Sequence, residues 1–253
     1  MADNRAGVES SAKRAVLRTR EDAHNIQVSN STRLNRYPRV FQAVGDLSRA
    51  SRFAKPRVLS YGSSTGEEAH SLATSYLPDA EILGVDVSPA VVEQARAKYG
   101  SNPRIRFEIS NEANLRAEAP FSVIFAMSVL CRWPESRNLD DIAEIFPFAA
   151  CERQVDLLDG LLQPGGVLVI YNSSYSFLHA RTSRHYDLIL DPRVATSGFV
   201  KRFKKDGSYD DSVTGTDCIF RKREADAEIG PRGLTVRDHK LRVLGCIERD
   251  IAI

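Results

Sequence analysis

Val58-Leu59-Ser60-Tyr61-Gly62-Ser63-Ser64-Thr65-Gly66-Glu67-Glu68 is the stretch on which the fold turns. A short apolar run stops at a glycine, small hydroxyl residues follow, and a second glycine precedes two carboxylates. That order describes a buried strand, a tight turn and the start of a helix. Gly62 and Gly66 let the backbone turn sharply and come close to a ligand, and the free amides at the helix start face whatever is held there.

Working outward, the same strand and helix alternation continues. Strands are expected at Arg57–Tyr61, Glu81–Asp86, Ile105–Ile109, Ser122–Ala126 and Val167–Tyr171, with helices over Glu67–Tyr76, Pro89–Tyr99 and Leu139–Leu162. Upstream, Val40, Phe41, Val44 and Leu47 have helical spacing behind Pro38. Gly100 to Pro103 and Pro164-Gly165-Gly166 are turn signals. The fold class implied is α/β, a mostly parallel sheet with helices on both faces. After Tyr171 a polar loop, a helix near His185–Leu190 and two strands, Asp217–Lys222 and Lys240–Glu248, are expected, the last two as an antiparallel pair at the sheet edge.

Composition fits one globular unit. The chain has 253 residues, 42% hydrophobic and 27% charged, with a formal net charge of +2. Residues 1–28 read as a flexible polar tail and 29–253 as a single domain, in which 29–55 lead into the core and 172–253 are an elaboration. The balanced charge gives no reason to expect a nucleic acid, although Phe199–Lys205 alternates aromatic and basic residues. Cys131, Cys151, Cys218 and Cys246 are widely spaced and suggest neither a metal site nor a disulfide framework. No apolar run is long enough for a membrane span, and a cytoplasmic protein is expected.

Two features narrow the ligand. Asp86 ends the second strand about twenty residues after the turn, where a carboxylate can accept both hydroxyls of a ribose. Glu67 and Glu68 would repel a dinucleotide's pyrophosphate but attract the ammonium of an amino-acid moiety. S-adenosylmethionine is therefore expected ahead of NAD.

Gly62-Ser63-Ser64-Thr65-Gly66-Glu67-Glu68 resembles the G-x-S-T-G-E-E signature of the chemotaxis-receptor (CheR-type) methyltransferases. Asn30, Thr32, Arg36 and Phe41 are similar to that family's N-x-T-xxx-R-xxxx-F segment, which covers the cofactor. Val85-Asp86-Val87-Ser88 resembles its ribose-binding strand end, Phe107-xxx-Asn111 its adenine-side asparagine, and Phe121–Leu130 its F-D-x-I-F-C-R-N-V-L, with Met127-Ser128 in place of R-N. Leu161–Gly166 is similar to L-L-K-P-G-G. The resemblance implies the Rossmann-like class I methyltransferase fold, with Asn30, Thr32, Arg36, Gly62, Ser63, Glu67, Asp86, Val87, Asn111, Met127 and Ser128 at the cofactor.

Only Lys98–Arg104 stands where that family inserts a receptor-gripping subdomain. A small-molecule or glycan acceptor is therefore expected, with protein glutamate as the alternative and a non-catalytic cofactor-binding interaction module as a third reading. Trp133, Tyr171, Asn172, Tyr175 and Tyr186 are candidates for the acceptor pocket, and His179 and His185 are candidate general bases. No metal is expected.

Overall fold

The computed structural model describes residues 32–224 apart from 52, 54, 196, 197 and 213–215. The seven strands are β1 Arg57–Tyr61, β2 Glu81–Asp86, β3 Ile105–Ile109, β4 Phe121–Met127, β5 Leu162–Tyr171, β6 Tyr186–Ile189 and β7 Ile219–Lys222. They form one sheet in the order β3-β2-β1-β4-β5-β7-β6. The first five are parallel, and β7 runs antiparallel to both β5 and β6.

Five longer helices flank this sheet. They are α1 Pro38–Ala50, α2 Glu67–Ser71 with a π-helical continuation Leu72–Tyr76, α3 Pro89–Tyr99, α4 Glu112–Glu118 and α5 Phe148–Leu161. The strands read as continuous apolar runs because each buries both faces. Val58, Val123, Phe125, Val167 and Val169 join a core with α1, α2 and α3. Their neighbours Leu59, Ile124, Leu168 and Ile170 join a second core with α4 and α5. Within the first core Phe41 is fully buried, edge-on to Tyr76 and Phe125, which seats α1 against α2 and β4.

Three expectations are corrected here. The long helix over 139–162 is only α5, because Pro147, extended at φ −63° and ψ 145°, ends the preceding loop and disfavours helix at Phe146. Leu139, Ile142 and Ile145 imitate a helical period, but only Ile142 of the three is buried. α4, not anticipated, is started by Asn111, whose side chain accepts from the Asn114 amide at 2.8 Å. Residues 181–185 form a 3₁₀ turn, and His185–Leu190 gives strand β6 rather than a helix. A short apolar run does not distinguish the two by its period, and here pairing with β7 decides. The antiparallel pair expected at the sheet edge is formed by β6 and β7; the strand expected at 240–248 lies outside the described residues.

Two tyrosines proposed for an acceptor pocket belong to the second core instead. Tyr186 is fully buried, with its hydroxyl donating to Asp159 at 2.7 Å. Tyr175 is 1% exposed, packs on Phe146 and Phe148, and donates to the Phe146 carbonyl at 2.6 Å. Tyr175→Phe strands that carbonyl, so it should cost about 1–3 kcal/mol of stability in urea denaturation without altering ligand affinity.

Candidate functional site

The polar residues of interest gather where the parallel strands end. Gly62 and Ser63 both donate backbone N–H groups to the Val85 carbonyl, at 2.9 and 2.8 Å, which ties the turn after β1 to β2. Gly62 needs its left-handed φ of +74°, and a Cβ there would lie 2.6 Å from Val129. Asp86 completes the tie. One carboxylate oxygen accepts from the Ser64 amide and the other from the Ser88 amide, each at 3.1 Å. Asp86 is buried, and part of its hydrogen-bonding capacity is spent on shaping the turn.

An open cleft adjoins the turn. Gly62, Ser63, Ser64 and Glu68 form one wall, Met127 lies at the end of β4, and Thr32, Arg33, Arg36, Tyr37 and Phe41 cover it from the chain preceding and beginning α1. The structure thus brings Thr32, Arg36, Gly62, Ser63 and Met127 together as the sequence suggested. Asn30 lies outside the described residues. The Ser63 hydroxyl is buried with no hydrogen-bond partner among the described residues, a donor left for a ligand.

The paired glutamates separate. Glu67 is turned away from the cleft, accepting from the Thr65 hydroxyl at 2.6 Å and from Lys98 Nζ at 2.9 Å. Burial raises its carboxyl, but these bonds outweigh it and hold the group below its ordinary value. Glu68 lines the cleft, accepts from the Ser60 hydroxyl at 2.7 Å and feels the Arg36 charge. Burial pushes its carboxyl up to about 7, against the opposing pull of Ser60 and Arg36. One step along a helix turns a side chain by about 100°, so only one of two adjacent residues faces a given wall. Glu67, expected at the cofactor, does not line the cleft, whereas its neighbour Glu68 does.

The adenine-side assignments are mixed. Val87, after Asp86, and Ile109, at the end of the neighbouring β3, are exposed apolar residues beyond adjacent strand ends. Asn111 is exposed and uses its side-chain oxygen as the cap of α4. Ser128 closes a polar group with Tyr37 and Asn172: the two hydroxyls are 2.8 Å apart, and Asn172 Nδ2 lies 3.1 Å from Tyr37 Oη and 3.0 Å from Ser128 Oγ.

Neither histidine lines the cleft. His185 precedes Tyr186, which pairs with Lys222; the residue before Lys222, Arg221, pairs with Val167, which in turn pairs with Val123 near the start of β4. His185 is therefore at the opposite end of the sheet from the turn, because β6 is an edge strand that starts there. His179 packs edge-on to Phe148 at the start of α5, with burial and Lys205 lowering its imidazole pKa. Tyr171 is at the right strand end, but it is buried against Tyr37 and its hydroxyl donates to the Ala195 carbonyl at 2.6 Å. Trp133 is half-buried, edge-on to the exposed Phe199.

Three of the four basic residues after Phe199 have partners within the described residues. Lys201 bonds Leu139 and Asp140, Arg202 pairs with Asp217, and Lys205 lies over Phe148. Cys131, Cys151 and Cys218 are unbridged and buried, and burial raises their thiol pKa values. No helix among the described residues is long and apolar enough to cross a membrane. The residues missed by sequence reading are Tyr37 and Arg33, which flank the quoted Arg36, and Phe41 as a cleft-lining side chain; proximity to Arg36 was the available signal.

The chain is similar to known proteins over part of its length. Residues 58–146 match a family model described as a methyltransferase domain. A trans-aconitate 2-methyltransferase of Methylobacterium radiotolerans is 37% identical over 100 residues, 40% of this chain and 32% of that protein. One of Methylobacterium nodulans is 34% identical over 93 residues, 37% of this chain and 34% of that protein. The chain thus matches about a third of the length of these relatives. Among solved structures, the N-methyltransferase NodS of Bradyrhizobium japonicum superposes with a TM-score of 0.39 at 21% identity, covering 53% of this chain and 59% of that one. The sugar N-methyltransferase KedS8 of Streptoalloteichus gives 0.37 at 22% identity, covering 65% and 54%. The sheet, with its parallel strands and reversed β7, has the Rossmann-like architecture expected from the sequence.

Glu68 makes stability depend on pH. Its carboxyl is raised from 4.5 unfolded to about 7 folded, so folding takes up a proton between those values. The contribution is fully present below that window and is lost as pH rises through it. Glu68→Gln should flatten this part of the stability profile, measured by chemical denaturation from pH 4 to pH 8 (roughly the span of that shift).

Proposed function

We propose that this chain is an S-adenosylmethionine-dependent methyltransferase acting on a small-molecule or sugar-containing acceptor. The observation that carries the reading is the charge pair in the cleft: Glu68 and Arg36 face the space beside the Asp86-tied turn. An amino-acid group carries both charges, so its ammonium complements Glu68 and its carboxylate complements Arg36. A pyrophosphate would meet Glu68 unfavourably. Asp86 supplies carboxylate lone pairs for ribose hydroxyls, and exposed Val87 and Ile109 offer an apolar slot for a purine. The unpartnered Ser63 hydroxyl fits the same occupant.

The bound cofactor supplies a methyl group on a sulfonium, already an activated electrophile. The chain's own residues have three tasks: to hold that group, to exclude water, and to bring the acceptor atom in line with the methyl. Arg33 lines the cleft without an ion pair to another described residue and is placed to draw in an acidic acceptor. A carboxylate needs no general base, which suits a cleft that neither His179 nor His185 lines. Two of the relatives are named for methylation of trans-aconitate, and the best first acceptors to assay are therefore such acids, followed by amino sugars.

The Gly66-Glu67-Glu68 motif favours a second reading, esterification of protein glutamate, which receptor peptides bearing base-labile methyl groups after reaction would support. Transfer to any acceptor disposes of the purely non-catalytic reading.

Calorimetric titration with S-adenosylhomocysteine tests the cofactor assignment. The wild type should bind it more tightly than NAD. Glu68→Gln and Asp86→Ala should each weaken binding by about 10- to 100-fold, the loss of a hydrogen bond to a charged group. Wild-type affinity also should rise as pH increases through about 7, because the ammonium favours ionised Glu68. A wild type that fails to bind, or a Glu68→Gln protein that binds equally well, rejects the reading.

A further inference from the structure

Four non-glycine residues in the described chain have left-handed backbone: Asn35 (φ 53°), Ser64 (φ 50°), Ser128 (φ 60°) and Asn172 (φ 56°). Ser64 lines the cleft; Asn35 precedes the lining Arg36, Ser128 follows the lining Met127 at the end of β4, and Asn172 follows Tyr171 at the end of the adjacent β5. Such backbone is disfavoured for a side chain other than glycine or asparagine, and it persists where the surroundings impose it, often around ligands.

At Ser128 and Asn172 the conformation brings both side chains onto Tyr37, from a distant part of the sequence. Asn172 can spend its two amide hydrogens on the two hydroxyl oxygens, and one hydroxyl proton closes the third side of the triangle. Two hydroxyls carry two protons, so one donor is left over for a group outside. Among the described residues no acceptor takes it.

The chain just before Tyr37 is fastened on the opposite bank. The Asn35 amide donates to the Ser71 hydroxyl at 2.9 Å, and its side-chain oxygen accepts from the Tyr76 hydroxyl. Arg36 sits between the two fastenings and lines the cleft. We propose that Tyr37, Ser128 and Asn172 are positioning residues, a clasp that holds the Thr32–Tyr37 segment across the cleft so that Arg36 meets the bound cofactor's carboxylate, with the surplus hydroxyl donor turned to the ligand. The inference rests on the S-adenosylmethionine reading of the cleft and adds what holds its cover.

Two variants test it with S-adenosylhomocysteine as the probe. Tyr37→Phe keeps the ring that packs on Phe41 and Tyr171 and removes the hydroxyl. Ser128→Gly removes the hydroxyl while relieving the left-handed backbone, so it also guards against a folding defect. Each should weaken binding about tenfold, chiefly through faster dissociation, while the melting temperature of the ligand-free protein falls by no more than about 2 °C. Because both break one network, the double variant should bind about as weakly as either single one.

Single variants that bind within about twofold of wild type overturn the clasp, as do losses that multiply in the double variant. A lower ligand-free melting temperature with unchanged affinity also overturns it, since that marks a merely structural role. Wild type that does not bind the probe rejects the cofactor reading itself; wild type that binds while the variants are unaffected rejects only the clasp.

Discussion

Burial of the parallel sheet on both faces is the constraint from which the rest follows. Val58 and Leu59, Val123 and Ile124, and Val167 and Leu168 point alternately into two apolar cores. Neither face can then carry polar chemistry without the penalty of burying unpaired groups. The ends of the strands are where backbone groups and polar side chains become available, and the turn after β1 lies at the C-terminal end, where ligands of open α/β sheets bind.

At that end a second constraint takes over. Asp86 fixes the turn by accepting from Ser64 and Ser88, so the residue best placed for a ribose also shapes the backbone beside it. The turn aims the start of α2 so that Glu68 lines the cleft and Glu67 is taken by Thr65 and Lys98. A withdrawn carboxyl next to Arg36 has a different task from the half-buried ion pair at Glu67. Removing a charge from the first alters a binding surface, whereas the second joins α2 to α3.

The covering segment has no core of comparable size and is secured by hydrogen bonds instead. Asn35 fastens one side, and Tyr37 reaches Ser128 and Asn172 on the other. Phe41 anchors the following helix by its contacts with Tyr76 and Phe125. An apolar anchor thus supports a polar cover whose interactions are individually modest and easily exchanged for those of a ligand.

What the sequence determined by itself was local and periodic. The apolar runs of β1 to β5, the Gly62 turn and Asp86 at the end of β2 were legible because each rests on spacing within a few residues or one strand–helix unit. Thr32 and Arg36 were singled out by likeness to a family and not by any local period, and both line the cleft. Tertiary structure decided the rest. It chose Glu68 over Glu67 through the rotation of α2, made Tyr175 a core residue by packing it under Phe148, and set His185 at the wrong end of the sheet by placing β6 at its edge. It also joined Tyr37 to Asn172, a contact between residues 135 apart in the chain. Orientation about a helix, strand order at an edge and long-range hydrogen bonds all depend on how elements pack together, and no local period encodes that packing.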